Sequence, residues 1–436
     1  MSQIRPISGW GGYPKALLPQ QSFSGSVLEG VWIGRGAGRA YGDAALGPQI
    51  LNSRRHNRFL EFDRTLGIVT IEAGVTMREL ILVVSAAGWI PPVIPGTQFI
   101  TLGGAVAADV HGKNHHRIGS IGNHILSMDL ILADGTRVTC SPSVDASLFQ
   151  ATIGGMGLTG WIESITLQLA PFTSSQFHVR NQRFDQGSSL IEASGWATEA
   201  SFQVAWIDTL GKGQDLGRGM WMVAEPVPAV TSESRDSRIL LPEPKMSAPA
   251  FLPSGLVNNW TIRAFNQLYF FKKSSGNPSQ NQPFHQFFFP LDAIRNWNKL
   301  YGPKGFLQYQ FVLPRNRAKE GMNEILARMS HAKIPTFLGV LKAMGQGRGY
   351  LSFPMEGLTL SVDIPFSEKR LKILEEWDEC VIRYGGRVYL AKDARMKPEA
   401  FEAMYPELDA FKKILRTVNP QGKIRSKLSE RLNLHS

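Results

Sequence analysis

Three glycine-dense segments constrain the first 160 residues of this 436-residue chain more than any other feature. They are GRGAGRAYGD at residues 34–43, PGTQFITLGGAVAADVHGKNHH at residues 95–116 and ATIGGMGLTG at residues 151–160. Segments so rich in Gly and Ala bury little side-chain area, but their backbone can approach a large flat ligand or turn N–H groups toward an anion. A second interpretation, tightly packed helix starts and turns, stays open at this point.

The first segment does not match the Rossmann nucleotide motif. That motif places G-x-G-x-x-G at the head of a helix. Here glycines stand at every second position from Gly34 to Gly38, and the Tyr-Gly-Asp that follows shows no helical pattern. The pattern favours a loop whose N–H groups surround a pyrophosphate without a helix behind it. A glycine-rich surface loop is the alternative.

Alternating helix and strand signals predict an α+β fold. Residues 67–74 alternate like a half-buried strand, and residues 75–88 have helical spacing with Thr76 as N-cap and Glu79 in the first turn. Further strands are predicted at residues 30–33, 161–169, 202–207, 220–223, 305–314, 336–342, 358–365 and 387–391. Further helices are predicted at residues 323–333 and 371–384 and near the C-terminus, and no internal repeat is evident.

Composition excludes several classes of protein. No apolar run approaches the 18 residues that a membrane-spanning helix needs, and the first ten residues lack the apolar core of a secretory signal. The two cysteines, Cys140 and Cys380, fit a reducing compartment. We therefore expect a cytoplasmic protein, with the inner membrane face as a candidate site of peripheral contact.

The net charge of +11 attracts anions. The basic residues are scattered rather than aligned, and no combined aromatic and basic RNA-binding signature occurs, which argues against nucleic acid as a partner. A lipid phosphate, a phosphorylated substrate or an anionic membrane surface suits the charge better.

Two irregular stretches interrupt the second half of the chain, at residues 225–255 and 272–283. Long loops inside a compact enzyme are usually lids or disordered segments. The aromatic clusters beside them, residues 269–271 and 287–289, are either core strands or the lining of an entrance for a long apolar chain. The basic tail at residues 423–434 is interpreted as a solvated helix face, with membrane contact as the alternative.

A few polar residues are candidates for chemistry. Gln308 and Gln310 share one face of the strand predicted at residues 305–314, so two buried amides need partners there. Lys392 follows a predicted strand and is either a surface lysine or a group that handles the proton of an alcohol. Tyr41 and His111 lie inside the glycine-dense segments and are candidates for proton relay or hydrogen bonding.

A metal site is not expected. The four histidines at positions 111, 115, 116 and 124 are not accompanied by a carboxylate or cysteine that would complete a recognisable ligand set.

Five motifs resemble one family. GRGAGRAYGD, HGKNHH, LQYQFVLP and YLAKDAR, together with SGWGGYP at residues 8–14, are similar to the decaprenylphosphoryl-β-D-ribose 2-oxidase family. That family has the FAD-dependent fold of vanillyl-alcohol oxidase and p-cresol methylhydroxylase. The resemblance implies a two-subdomain FAD-binding domain at residues 1–171 and a substrate-binding domain at residues 172–386, with an antiparallel sheet flanked by helices. It also implies a C-terminal segment, residues 387–436, that returns to the FAD-binding domain.

The resemblance implies FAD held without a covalent bond. Relatives with covalent flavin often carry the linking histidine in the first glycine-dense segment, and residues 34–43 contain none. One departure is that residues 17–30 are too short for the helix that usually precedes this segment, so the edge of the first subdomain is expected to be trimmed.

The resemblance also implies the roles of individual residues. Catalytic roles fall on Lys392, Tyr41 and His111. Cofactor binding falls on Arg35, Gly36, Ala37, Gly38, Arg39, Ala40, Tyr41, Gly42, Gly96, Thr97, Thr101, Gly103, Gly104, Ala105, Ala108, His111, Gly157, Gly160, Ile162 and Tyr389. Substrate binding falls on Lys113, Gln308, Gln310, Lys342, Ser361 and Lys392. Ser361 stands where well-studied members carry the cysteine that covalent inhibitors attack.

The implied activity is oxidation of the 2′-hydroxyl of a polyprenylphosphoryl-β-D-ribose to the 2′-keto sugar. This is the first half of an epimerisation to an arabinose donor. A quinone-like acceptor would reoxidise FAD, and an NAD(P)H-dependent short-chain reductase would complete the epimerisation. Two alternatives remain: a soluble sugar-alcohol or aldonolactone oxidase on the same fold, and a non-enzymatic protein that binds flavin or a carrier lipid.

Overall fold

The computed structural model describes residues 3–25, 29–172, 174–196, 199–228, 239–244, 246–249, 253, 255–275, 278–336 and 338–435. Its strands are β1 Gln3–Ser8, β2 Lys15–Ser22, β3 Ile33–Arg35, β4 Ile50–Asn52, β5 Phe59–Asp63, β6 Ile68–Glu72, β7 Trp89–Ile90, β8 Ile125–Ile131, β9 Arg137–Cys140, β10 Trp161–Gln168, β11 Ala170–Pro171, β12 Gln176–Phe184, β13 Phe202–Ile207, β14 Gly219–Pro226, β15 Met246–Ser247, β16 Ser279–Pro283, β17 Ile294–Arg295, β18 Phe306–Pro314, β19 Gly339–Met344, β20 Gly357–Pro365 and β21 Arg387–Val388. Its α-helices are α1 Met77–Ser85, α2 Leu102–Ala107, α3 His115–Ile118, α4 Ala146–Thr152, α5 Gly187–Trp196, α6 Asn259–Ser275, α7 Phe284–Phe288, α8 Arg315–Ala332, α9 Glu368–Arg383, α10 Pro398–Met404, α11 Leu408–Val418 and α12 Lys427–Arg431.

Three sheets organise the chain and confirm the predicted α+β class. A four-stranded mixed sheet has the order β1-β2-β4-β3, and a five-stranded antiparallel sheet has the order β5-β6-β10-β8-β9. An eight-stranded antiparallel sheet follows, in the order β16-β12-β14-β13-β19-β20-β18-β21. The four-stranded and five-stranded sheets use residues before position 172 and the eight-stranded sheet uses residues after it, while the domain boundaries themselves stay a prediction.

Local sequence signals explain why the elements begin where they do. The Thr76 hydroxyl accepts a hydrogen bond from the Glu79 N–H, and the Glu79 carboxylate accepts one from the Thr76 N–H, so α1 begins with the predicted capping box. Strand β18 alternates as predicted. Tyr309 packs edge-on against Trp377 of α9 in the main core, whereas Gln308 and Gln310 face the opposite side.

The C-terminal tail is not a solvated helix face, so that prediction was wrong. Leu428, Leu432 and Leu434 are buried in the main hydrophobic core. Ile424 pairs with Trp32 in an isolated parallel bridge, and the Lys427 N–H donates to the Leu46 carbonyl at 2.7 Å. Apolar residues with helical spacing lie between the basic ones in this tail, and they pack in the same core as Trp32 and Leu46, which flank the first glycine-dense segment.

Several boundaries differ from the predicted ones. The aromatic clusters at residues 269–271 and 287–289 belong to α6 and to the end of α7, not to strands. Helix α8 begins at Arg315 rather than at position 323, directly after Pro314, which serves as its N-cap. Strand β21 stops at Val388 because the Lys392 and Asp393 N–H groups both bond back to the Tyr389 carbonyl and close a turn.

The predicted loops at residues 225–255 and 272–283 lie partly outside the described residues. Where they are described, Met246–Ser247 pairs in parallel with Ile294–Arg295, and Ser279–Pro283 forms the edge of the large sheet. Among the described residues, no helix combines the length and apolarity needed to cross a bilayer.

Candidate active site

One cavity of about 340 Å³ brings the three glycine-dense segments together. Of the predicted cofactor-binding residues, it is lined by Arg35, Gly36, Ala37, Gly38, Arg39, Ala40, Tyr41, Gly96, Thr97, Thr101, Gly103, Gly104, Ala108, His111, Gly157, Gly160, Ile162 and Tyr389. The predicted substrate-binding residues Gln308, Gln310, Lys342, Ser361 and Lys392 line the same cavity. Predicted site residues separated by up to 357 positions, Arg35 and Lys392, therefore share one wall.

Two predicted cofactor-binding residues lie behind the wall rather than on it. A Cβ at Gly42 would come within 1.8 Å of the Asp393 carbonyl oxygen, so glycine there lets the first segment pack against the turn that carries Lys392. Ala105 is fully buried on the inner side of α2. Both shape the cavity indirectly.

The first segment fits a diphosphate. A Cβ at Gly36 would lie 2.0 Å from the Thr101 hydroxyl oxygen, so only glycine allows this close approach to the second segment. The Arg39 guanidinium stacks on Trp10 at 3.8 Å, and its buried Nε–H has no hydrogen-bond partner among the described residues. A half-buried cation with an unused buried donor at the wall suits a phosphate oxygen, so these residues fit FAD.

Asp292 joins the large sheet's side of the cavity to the second segment. Its carboxylate accepts hydrogen bonds from the Thr97 hydroxyl and from the Gln98 N–H, each at 2.8 Å. Sequence reasoning missed this residue because it lies in a short 3-10 turn, Pro290–Ala293, nearly 200 positions from its partners. It also missed Trp10, Ser53 and Trp297, which line the cavity.

Lys392 sits in the turn that follows β21. Its ammonium lies 3.9 Å from the centre of the Tyr41 ring, and the Tyr389 hydroxyl beside it donates to the Ala108 carbonyl at 2.7 Å. Burial lowers the pKa of Lys392 to about 7, the charge of Asp363 opposes that shift, and Lys342 adds to it. Near neutral pH a substantial fraction of Lys392 is therefore a free amine.

The two glutamines of β18 find partners on β20 and in the second segment. Gln308 Nε2 donates to Asp363 at 2.6 Å. Gln310 Nε2 lies 3.1 Å from His111 Nε2 and donates to Thr359 at 3.2 Å. Because the amide is the donor, His111 Nε2 accepts and the proton of the neutral ring sits on Nδ1.

Burial sets the protonation states around Lys392. It holds the pKa of His111 well below its usual value, with Lys342 adding to the effect, so the ring is neutral. Burial and then the charge of Asp363 raise the pKa of Tyr41 well above its usual value, so the phenol keeps its proton. Burial raises the pKa of Asp363 to about 7, against the Gln308 hydrogen bond and the charge of Lys392. Lys392 and Asp363 both have a pKa near 7, but Lys392 lines the cavity and Asp363 does not, so Lys392 is the candidate base.

Lys113 is the predicted substrate-binding residue that the cavity wall lacks. Its ammonium donates to the Phe287 carbonyl and lies 4.0 Å from the centre of the Phe287 ring. Burial, with a contribution from Lys342, lowers its pKa to about 7. The aromatic cluster of α7 therefore holds Lys113.

The neighbouring histidines bond to the backbone. His115 Nδ1 accepts from the Gly345 N–H at 2.9 Å, and His116 Nε2 lies 2.8 Å from the Ala200 carbonyl. Within the described part of the chain, no three side chains of the metal-ligand types cluster together.

Comparison with known proteins agrees with this geometry. Residues 29–141 match the family described as FAD binding domain. The decaprenylphosphoryl-beta-D-ribose oxidase of Mycolicibacterium smegmatis is 36% identical, over 92% of this chain and 89% of its own length. A Streptomyces coelicolor protein from the mprA 5′ region is 34% identical over 83% of this chain and all of its own. Mouse L-gulonolactone oxidase is 24% identical over 86% and 82% of the two chains. The chain therefore belongs to the decaprenylphosphoryl-β-D-ribose oxidase family and is an FAD-dependent oxidoreductase.

Proposed function

We propose that this protein oxidises the 2′-hydroxyl of a polyprenylphosphoryl-β-D-ribose to the 2′-ketone. One observation carries the proposal: a buried lysine with a pKa of about 7, Lys392, stands on the wall of the cavity that the glycine-dense segments line. When bound, FAD supplies the two-electron acceptor for the hydride that leaves the alcohol carbon. The protein's own residues then have to position the sugar and take the hydroxyl proton.

The proton goes to Lys392. As a free amine it accepts the proton of the 2′-hydroxyl while the carbon–hydrogen bond breaks, so the C–O bond becomes a carbonyl and the lysine becomes an ammonium. Tyr41 is not the base, because its raised pKa keeps it protonated. Its ring lies 3.9 Å from the ammonium and stabilises the charge that Lys392 gains.

The large sheet positions the sugar. Gln308, Gln310 and Ser361 present amide and hydroxyl groups to the cavity from two paired strands, with Gln310 opposite Ser361 in the register. Neutral His111 fixes the Gln310 amide at 3.1 Å. Burial lowers the pKa of Lys342 only to about 8, so at pH 7 it is mainly a cation at the wall that attracts the phosphate group of the substrate.

FAD is held without a covalent bond in this proposal. Supporting it, no histidine occurs between positions 34 and 43, where relatives with covalent flavin often carry the linking residue. Acid precipitation should therefore release all of the flavin into the supernatant, whereas yellow colour in the pellet would contradict this part of the proposal.

The electrons and the product pass to different partners. We propose that a quinone-like acceptor reoxidises the reduced flavin. An NAD(P)H-dependent short-chain reductase would then reduce the 2′-keto sugar and complete an epimerisation to the arabinose donor. An epimerisation of this kind needs one acceptor and one donor of two electrons. The carbon is first oxidised and then reduced, so its configuration inverts while its oxidation state is restored.

The test is anaerobic bleaching of the flavin absorbance by substrate. Polyprenylphosphoryl-ribose should bleach the purified protein, while free alditols and aldonolactones should not. Lys392→Ala should lower the bleaching rate by about 10²- to 10⁴-fold, the range for loss of a general base. Lys397→Ala is the matched control, since Lys397 is a surface lysine paired with Glu375 at 2.8 Å.

The other outcomes identify the alternatives. Bleaching by free aldonolactones but not by the lipid-linked sugar would indicate a soluble sugar oxidase. A flavin spectrum that no sugar alcohol bleaches would indicate a binding protein. Full-rate bleaching by the Lys392→Ala variant would remove Lys392 from its assigned role.

A further inference from the structure

The α6 helix carries its apolar residues on two opposite faces. Ile262, Asn266 and Phe270 face inward and are buried, and Asn266 Nδ2 donates to Asp208 at 2.7 Å. Trp260, Leu268 and Phe271 point outward, with 83%, 67% and 46% of their surfaces exposed. The helix is therefore fixed to the protein by one side while the other side presents large apolar groups to the surroundings.

The outward residues form one continuous stripe. Trp260, Ala264, Leu268 and Phe271 follow one another at intervals of four, four and three residues, which places them on a single helix face. Five of the fifteen large apolar side chains that are exposed in the described part of the chain lie on or just before this helix; they are Leu256, Trp260, Phe265, Leu268 and Phe271. Single exposed apolar residues are ordinary, whereas a clustered set marks an interaction surface. We call the stripe of Trp260, Ala264, Leu268 and Phe271 the outer face of α6.

The start of α6 adjoins the cavity. Val257, two residues before the helix, packs against the cluster of Trp297, Tyr301 and Phe306. Trp10 packs against the same cluster, and both Trp10 and Trp297 line the cavity. A molecule that approached along the outer face of α6 would therefore arrive beside the cavity wall.

The charge of α6 indicates which kind of surface the helix would bind. The α6 sequence contains Arg263, Lys272 and Lys273 and no acidic residue, in a chain of net charge +11. An apolar stripe that includes a highly exposed tryptophan, with basic residues and no acidic ones, is typical of helices that lie in the interface of an anionic bilayer.

We infer that the outer face of α6 docks this protein on an anionic lipid bilayer, from which a polyprenyl-linked substrate reaches the cavity past Trp10 and Trp297. The second half of this inference rests on the proposed function, whereas the docking itself does not.

Vesicle sedimentation tests the docking. The FAD-loaded full chain should sediment with vesicles of phosphatidylglycerol and phosphatidylcholine, and binding to phosphatidylcholine alone should be weaker. The triple variant Trp260→Ser, Leu268→Ser, Phe271→Ser should bind the anionic vesicles at least about tenfold more weakly, because three anchoring side chains are lost. The control triple variant Leu17→Ser, Leu60→Ser, Leu66→Ser removes exposed leucines elsewhere and should bind like the wild type.

Tryptophan quenching gives a residue-specific readout. Brominated lipids should quench part of the wild-type fluorescence, and that part should be missing in Trp260→Phe. Equal vesicle binding by the wild type and the outer-face variant would overturn the inference. So would a concentration-dependent dimer that the outer-face variant abolishes while vesicle binding stays at the wild-type level, since the face would then pair two copies of the chain.

A short-chain, water-soluble prenylphosphoryl-ribose separates this inference from the proposed function. The outer-face variant should bleach with that substrate at the wild-type rate, because it changes docking and not chemistry. With substrate in vesicles, its rate should fall together with its binding. If neither protein turns over the short-chain substrate but the wild type still binds vesicles through α6, the proposed function fails and the docking stands.

Discussion

The Asp363→Asn substitution tests how the site controls the protonation of Lys392. The charge of Asp363 raises the pKa of Lys392, against the lowering by burial and by Lys342. Asparagine keeps the shape and still accepts the Gln308 hydrogen bond, but it cannot carry the negative charge. Removing the charge should therefore lower the pKa of Lys392 and make the free amine available at lower pH.

The size of the effect follows from the pKa of about 7 for Lys392. Loss of a nearby opposite charge shifts a pKa by about one unit or more. Because burial raises the pKa of Asp363 to about 7, its charge is largely absent at pH 6, so the comparison is made at pH 7. At pH 7 a lysine with a pKa of 7 is about half free amine, and one with a pKa of 6 is about nine tenths free amine. The rate at pH 7, as a share of the high-pH plateau, should rise about twofold in the variant.

The assay is anaerobic stopped-flow bleaching between pH 5.5 and 9. In the wild type the rate should increase with pH and level off above about pH 8, because the free amine is the active form. The midpoint belongs to the coupled pair, since burial raises the pKa of Asp363 to about 7 as well. Ser361→Ala, two positions away on β20 and uncharged, should leave the midpoint unchanged. Equal midpoints for Asp363→Asn and the wild type, or a rate that falls as pH rises, would refute the reasoning.

Three further predictions concern stability and cofactor binding. Lys392 has a pKa of about 7 in the folded chain and 10.5 ordinarily, so the unfolded chain binds more protons and the neutral form favours folding. Relative to Lys392→Met, the wild-type unfolding free energy should therefore rise by about 2 kcal/mol from pH 7 to pH 9 in denaturant titrations; a constant difference would contradict this. Arg431 bridges Asp43 at 2.9 Å and Asp393 at 2.8 Å, so Arg431→Gln should cost about 3 kcal/mol by the same measurement, and a cost below 1 kcal/mol would show that water replaces the pair. Gly36→Ala should reduce the flavin-to-protein absorbance ratio of the purified protein, since its Cβ would clash with Thr101; full flavin content would show that the loop can shift.

Local patterns predicted the elements whose signals are local. The capping box at Thr76 and the alternation of β18 depend on neighbours within four positions, so the sequence alone indicated both. The aromatic clusters at residues 269–271 and 287–289 were ambiguous, because short apolar runs suit a strand or a buried helix equally well. Tertiary packing favours the helical conformation, because Phe284 and Phe288 of α7 form an aromatic cluster with Phe177 of β12.

The sequence by itself indicated that the chain folds as α+β, that the glycine-dense segments are candidates for holding a flavin, and that a lysine in YLAKDAR is a candidate for the chemistry. Only the tertiary structure decided that Gly42 and Ala105 lie behind the wall, that Lys113 is held by Phe287, and that the C-terminal tail is core. The pKa of Lys392 also belongs to the tertiary structure. A pKa depends on burial and on charges brought close by folding, and Asp363 and Lys342 reach Lys392 from strands that lie 29 or more positions away in the chain.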